Sequence, residues 1–265
     1  MTVVLVHGNP ETDAVWDPLT AALRRDDVVR LSPPGFGTPP PDGWTATPEA
    51  YRRWLVDQLE KIGHPVDLVG HDWGGAHVIN LVMTRPDLVR TWSTDSIGMF
   101  DPGYTWHGLA RVWQTPGSGE AAAAQLTHPD AERRIAYLSS IGVPSDIAMV
   151  LAPGCADISG DVMLALYRHA TQPALAALGD NLPAARQRPG LVLLPTADNA
   201  LGDEETRRRC ADRAGATVTT LPGLGHWWML QQPALAAATL SRFWSSAPSA
   251  AGRRQGTSAP AGAGT

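Results

Sequence analysis

Cysteine is nearly missing from this chain. Two residues in 265, Cys155 and Cys210, cannot build a disulfide framework, and they show neither zinc spacing nor a CxxC pair. They are expected as reduced thiols of a cytoplasmic protein, and no metal or other cofactor is expected. No apolar run reaches the length of a membrane span. No charged leader precedes the first apolar run, Thr2-Val3-Val4-Leu5-Val6, so neither a signal peptide nor membrane attachment is expected. Lysine occurs once, as Lys61, and the remaining positive charge is arginine. With 21 basic against 26 acidic residues the net charge is −5, which leaves no basic face for nucleic acid. Internal repeats are absent. What remains is 43% hydrophobic, enough for one full-sized core, with 26 glycines and 23 prolines to make short turns.

The stretch around which the chain is organised is Gly70-His71-Asp72-Trp73-Gly74-Gly75. A short apolar run, 65–69, precedes it and reads as a buried strand. A helix-compatible run, 76–83, follows. Strand, Gly-x-Asp-x-Gly, helix is the nucleophile-elbow pattern with aspartate in the usual place of serine. Small residues at 70 and 74 let strand and helix pass closely, and the turn lifts the Asp72 carboxylate above the sheet edge. Taken alone, the motif also fits a turn whose aspartate caps a helix.

The rest of the chain alternates. Residues 3–6 read as a central parallel strand because both faces are apolar, and His7-Gly8-Asn9-Pro10 follows at the sheet's carboxyl end. A helix is predicted over 13–23, a strand over 28–31, and a turn-rich loop from Ser32 to Pro41. Thr47 caps a helix that begins with Pro48 and runs to about Ile62. After the elbow helix, 89–94 is a strand ending at Asp95. Strands then vanish from about 98 to 178, where helix-like runs carry Trp106, Trp113, Tyr137, Met163 and Tyr167. Residues 191–194 resume the sheet and lead to Asp198, 204–214 is a charged surface helix, and 216–221 is the last strand. His226 comes next, with a closing helix over 227–244. This organisation predicts a mostly parallel, doubly wound α/β sheet from residues 1–97 and 179–246. It also predicts an inserted helical cap over 98–178 and an unfolded tail over 247–265.

Four motifs together resemble the α/β-hydrolase superfamily in its epoxide hydrolase and haloalkane dehalogenase branch: His7-Gly8-Asn9-Pro10, the Asp72 elbow, Asp198 after a strand, and Gly225-His226 after the last strand. The likeness covers nearly everything up to about residue 245. Nucleophile, acid, histidine is this fold's order. The family's two leading antiparallel strands have no counterpart before Val3, so a sheet trimmed at one edge is expected. The resemblance implies a second oxyanion donor, the Asn9 N–H beside that of Trp73, and a cis peptide before Pro10.

A carboxylate nucleophile suits attack on an sp³ carbon with a leaving group, which forms an Asp72 ester. His226 then has a later task, as general base on the water that hydrolyses that ester. Its supporting acid is expected to be Asp198, with Asp95 as the rival. For epoxide opening, the cap must donate a proton. Tyr167, followed by Arg168, matches the family's lid tyrosine, and His107 in the Trp106-His107 pair matches a histidine variant of the second donor, with Tyr104 as the fallback. Halide release would instead use the Trp73 indole N–H and the Asn9 amide. The expected activity is therefore epoxide hydrolysis of a small apolar or aromatic substrate. Haloalkane dehalogenation is the alternative, and a non-hydrolytic binding or biosynthetic role is an alternative of another class. The sequence leaves the oligomeric state open. His71 and His77 are expected to be core histidines, Glu204, Glu205 and Arg207 to Arg209 a solvated helix face, and Trp227 and Trp228 packing residues, one of them able to wall the pocket.

Overall fold

The structure, a computed structural model, describes residues 1–248. Its centre is a six-stranded sheet in the order β2-β1-β3-β4-β5-β6, every neighbouring pair parallel. The strands are β1 (Val3–Val6), β2 (Val28–Leu31), β3 (Val66–Gly70), β4 (Val89–Thr94), β5 (Gly190–Pro195) and β6 (Thr217–Leu221). The four inner strands are buried along their whole length and the two edge strands only in part, as a sheet covered on both faces requires. Asp67 interrupts the apolar run of β3. It is fully buried, and Arg90 (2.6 Å) and Thr91 (2.6 Å) of the neighbouring strand satisfy it.

Helices α1 (Asp17–Leu23), α2 (Pro48–Ile62) and α3 (Trp73–Val82) connect the first half of the sheet. The Thr47 hydroxyl accepts the Ala50 N–H at 3.1 Å, and Gly63 closes α2 with φ 77°. The helix predicted over 13–23 is two pieces: a 3-10 turn at Asp13–Trp16, then α1, which starts with Pro18 in its first turn. Between β4 and β5 lie α4 (Gly108–Gln114), α5 (Ser118–Leu126), α6 (Ala131–Ser140), α7 (Ser145–Cys155), α8 (Gly160–His169) and α9 (Ala174–Gly179), with no strand among them. On the far side are α10 (Glu204–Arg213), α11 (Trp228–Gln231) and α12 (Pro233–Ser246). The single closing helix expected over 227–244 is broken, because Pro233 has no N–H to continue α11 and Gln232 before it leaves the helical region (φ −142°, ψ 64°). The tail expected from 247 onward lies, beyond residue 248, outside the described residues.

The chain runs from β1 outward to β2 and then returns to the other side of β1 for β3, so the switch point lies between β1 and β3. A crevice opens at the carboxyl ends of strands there. The loops after β1, β3, β4, β5 and β6 carry Asn9, Asp72, Asp95, Asp198 and His226 to that edge, under the helices between β4 and β5.

Candidate active site

Asp72 sits between β3 and α3 with φ 51° and ψ −125°, a conformation that costs a non-glycine residue roughly 1–3 kcal/mol. Its neighbours must be small for this turn to form. A Cβ on Gly74 would come within 2.1 Å of the Val6 carbonyl oxygen, and one on Gly8 within 2.4 Å of the Asp72 side chain. The turn therefore brings α3 and the loop after β1 against the same carboxylate. The Asn9 N–H donates to Asp72 Oδ1 at 2.9 Å, and the Asn9–Pro10 peptide is cis, as the resemblance implies.

The second oxygen, Oδ2, lies 3.8 Å from Nε2 of His226. The other ring nitrogen, Nδ1, is 3.0 Å from Asp198 Oδ2, and Asp198 Oδ1 accepts the Ala200 N–H at 2.8 Å. With Nδ1–H on Asp198, neutral His226 turns its unprotonated Nε2 towards Asp72. Burial opposes charge on His226, yet Asp198 and Asp72 outweigh it and raise its proton affinity above that of free histidine. Burial also pushes the Asp72 pKa up, against the pull of His226, His71 and the Asn9 N–H. Burial acts the same way on Asp198, where the charge and hydrogen bond of His226 prevail and lower its pKa.

Asp95 is engaged elsewhere. Its Oδ1 accepts the backbone N–H of Asp72 (3.0 Å) and the Ser96 hydroxyl (2.7 Å), and its Oδ2 accepts the Trp228 indole N–H (2.7 Å) and faces His71 Nδ1 at 2.5 Å. The other nitrogen of His71, Nε2, is 3.1 Å from Oε1 of Glu11, at an angle outside that of a hydrogen bond. Glu11, His71 and Asp95 are all fully buried. Glu11 carried no expectation from the sequence, and His71 was expected only to pack or hydrogen-bond in the core. Their positions, one residue beyond the His7–Pro10 motif and one before Asp72, were the available signal. His77 is a core histidine, stacked on Tyr51 at 4.4 Å, and burial lowers its pKa to about 3.

Tyr167 comes from the buried face of α8, where Met163, Leu164 and Leu166 are buried beside it. Its hydroxyl oxygen accepts the Asn9 side-chain N–H at 3.3 Å, and its ring meets the Trp73 ring edge to face at 5.4 Å. Burial and the Asp72 charge raise the Tyr167 pKa well above that of free tyrosine, so the phenol keeps its proton. His107 lies at the start of α4, where Nδ1 accepts the Ala110 N–H at 3.3 Å, which leaves the proton on Nε2. Burial, with help from His226, lowers the His107 pKa to about 4. Tyr104 instead donates its hydroxyl to the Ala200 carbonyl at 3.0 Å.

Asn9, Asp72, His107, Tyr167, Asp198 and His226 line one cavity of about 430 Å³, whose walls include Leu109, Trp113, Ile141, Val143 and Trp227. Trp227 is thus a wall, and Trp228 the buried donor to Asp95. The helix face expected to be solvated is so only in part: Arg207 is 2% exposed and reaches the carbonyls of Pro195 (3.3 Å) and Asp198 (3.4 Å). Chemically, the site offers a carboxyl group on a strained turn, an imidazole oriented by a second carboxylate, and a protonated phenol opposite.

Comparison with known proteins agrees with this architecture. The chain is 30% identical over 156 residues to the probable oxidoreductase EphD of Mycobacterium tuberculosis, a match that covers 54% of this chain and 24% of that one. It is 34% identical over 91 residues to an epoxide hydrolase of Caballeronia sordidicola, covering 32% and 27%. The chain thus spans about a quarter of the length of these curated relatives. Among solved structures, E-2-(acetamidomethylene)succinate hydrolase superimposes with a TM-score of 0.70 at 18% identity, over 92% of this chain and 91% of that one, a likeness of fold. The sequence model of the alpha/beta hydrolase family matches residues 3–239, and the chain belongs to that family.

Proposed function

We propose that this hydrolase opens epoxides to vicinal diols through an ester on Asp72. The observation that carries the reading is the surroundings of the Tyr167 hydroxyl. The Asn9 side-chain N–H donates to its oxygen, so its own proton is left for another acceptor. The Asn9 amide is one of the two donors that a dehalogenase would turn on a leaving halide, and here it acts on Tyr167 instead.

The geometry supports a division of labour in two half-reactions. Asp72 Oδ1 is held by the Asn9 N–H, so Oδ2 is the attacking oxygen. As it bonds to a ring carbon, the carbon–oxygen bond of the epoxide breaks, and the oxygen takes a proton from Tyr167. His107 Nε2–H is the second donor from the cap, since the Tyr104 proton is committed to Ala200. In the second half-reaction His226, oriented by Asp198, takes a proton from a water that adds to the ester carbonyl. The Asn9 and Trp73 N–H groups stabilise the oxyanion. Its collapse breaks the bond between carbonyl carbon and ester oxygen; the leaving oxygen takes the proton held by His226, and the proton of the new Asp72 carboxyl group returns through water to Tyr167, which releases the diol and restores the Asp72 carboxylate.

The substrate is small and uncharged. No lysine or arginine is among the described residues that line the cavity, and aliphatic and indole side chains form its walls. Both cysteines are buried and unpaired, which supports a reducing, cytoplasmic setting. No helix among the described residues is long and apolar enough to cross a membrane. The test is a parallel assay of epoxide and haloalkane panels, with diol and halide followed separately and the Asp72 peptide weighed. Diol from epoxides with a transient Asp72 ester supports the reading. Halide without diol would move the assignment to dehalogenation, and no ester with either panel would point to a binding protein.

A further inference from the structure

Asp198 and His226 ride on two loops that are bonded to each other, and a buried cation holds one of them. The Thr196 N–H donates to the Leu221 carbonyl (3.2 Å), the Ala197 N–H to the Leu224 carbonyl (2.9 Å) and the Gly223 N–H to the Thr196 hydroxyl (2.8 Å). These bonds fasten the middle of the turn from Pro195 to Asp198. Its two ends are held by Arg207 of α10, whose Nη1 donates to the Pro195 carbonyl at 3.3 Å and Nη2 to the Asp198 carbonyl at 3.4 Å. We infer that Arg207 is a positioning residue for the supporting carboxylate: its guanidinium fork fixes this turn and so sets Asp198 against His226.

Taking a guanidinium out of water is costly unless its donors are used, and a carboxylate is the usual buried partner. Arg207 is 2% exposed, yet its acceptors are two main-chain carbonyls, and its Nε–H has none among the described residues. Solvent is within reach. The same side chain borders a polar cavity of about 420 Å³, together with Thr105, Thr196, Asp203 and Glu204. Arginine readily extends its head into such a space. Its neighbours Arg208 and Arg209 are partly exposed and pair with Glu204 and Glu205. The buried placement of Arg207 gives what water does not: a planar fork that holds two carbonyls at a fixed spacing.

Without that fork the turn is weakly closed, since the Asp198 N–H reaches the Pro195 carbonyl only at 3.4 Å. Past Asp198 the chain is held by the Ala200 N–H on Asp198 Oδ1 and by the Tyr104 hydroxyl on the Ala200 carbonyl. The histidine loop has an anchor of its own, the Gly225 N–H on Gln231 Oε1 at 2.8 Å. A displaced Asp198 therefore moves relative to an imidazole held from the other side. The contact at stake is the one of 3.0 Å between Asp198 Oδ2 and His226 Nδ1, which selects the tautomer that the base needs. Asp72 is held separately, by its own turn and the Asn9 N–H, so ester formation does not depend on Arg207.

The consequence for ester hydrolysis rests on the proposed function, but the fixing of Asp198 does not. The test compares Arg207→Met, which keeps the length and loses charge and donors, with Arg207→Lys, which keeps the charge without the fork. The first measurement is proton NMR of the enzyme without substrate. In the wild type the Nδ1 hydrogen that His226 shares with Asp198 should give a far-downfield signal, assigned by its absence in His226→Gln. Arg207→Met should lose that signal to rapid exchange with water, and Arg207→Lys should weaken it. The second measurement is single-turnover kinetics. Hydrolysis of the Asp72 ester should slow by about 10²-fold in Arg207→Met, the size expected for a displacement of about 1 Å. The loss should be smaller in Arg207→Lys, and ester formation should keep its wild-type rate in both. Should Arg207→Met fail to fold, Arg207→Lys carries the test alone, and a wild-type signal with wild-type hydrolysis would overturn the inference. So would folded Arg207→Met with the signal unchanged, or with ester formation slowed as much as hydrolysis. Variants that lose the signal in a protein that makes no diol keep the role of Arg207 and overturn only the epoxide reading.

Discussion

The side-chain amide of Asn9 donates to the hydroxyl oxygen of Tyr167 at 3.3 Å, joining the loop after the first strand to helix α8, 158 residues further along. A phenol whose oxygen is already an acceptor has only its proton left to offer. In Tyr167→Phe that proton is gone while the ring and its packing on Trp113 at 4.7 Å remain. Ester formation should slow by roughly 10²-fold, with substrate binding little changed. Rapid-quench measurement of the ester on Asp72 reads this directly, and Tyr167→Phe with His107→Phe should be nearly inactive. Normal ring opening by the double variant would return the donor role to Tyr104 or favour halide chemistry.

His226→Gln should split the reaction. The first half needs no base, so ester forms, but water is not activated and the ester accumulates. Mass spectrometry of the Asp72 peptide should find it within one turnover. In the wild type, hydrolysis should rise with pH as His226 loses its proton. That midpoint should lie lower in the ester than in the free enzyme, because Asp72 no longer contributes a negative charge. Equal midpoints would contradict the arrangement.

Asp198→Asn leaves the shape of the contact with His226 but removes its charge and permits the wrong tautomer. Hydrolysis of the ester should fall by about 10³–10⁴-fold, by analogy with the loss of a triad carboxylate, and ester formation should be spared. Asp95, held by His71, Trp228 and the Asp72 N–H, should not take over. Near-normal hydrolysis in Asp198→Asn would show that it does.

Asp95→Asn tests stability rather than chemistry. Burial works against its charge, yet His71 and the donors around it hold its pKa below the ordinary carboxylate range. Its contribution is therefore fully present above about pH 4, where an unfolded aspartate has ionised, and is lost as pH falls through the lower folded value. For His71 the sign is opposite: its pKa is raised, so its contribution is complete below about pH 6.5 and fades as pH rises through the folded value. Neutralising one member of such a buried pair should cost about 3–5 kcal/mol in urea unfolding near pH 6. The difference should narrow only in strong acid. No loss of stability would mean that His71 is not charged.

The features legible in the sequence are those set by local constraint. Gly70, Asp72 and Gly74 between a buried strand and a helix define a turn with few solutions, and the run at 3–6 could only be an inner strand. Proline effects at 18 and 233 were equally local, but the periodic apolar pattern ran through them and hid two helix breaks. Asp95 and Asp198 could not be told apart because both end strands at the same sheet edge, and only the packing sets one against His226 and the other against His71. Glu11 and His71 meet across 60 residues, a contact that no spacing announces. Arg207 looked like its solvated neighbours Arg208 and Arg209, yet its guanidinium is buried against the carbonyls of Pro195 and Asp198.

The central claim is that Asp72, not water, attacks the substrate. One turnover in water enriched in heavy oxygen, with enzyme in excess over epoxide, tests it most directly. Because the ester is broken at its carbonyl carbon, the heavy atom should appear in the Asp72 carboxylate, and the diol should be unlabelled. Heavy oxygen in the diol and none in the Asp72 peptide would contradict the account.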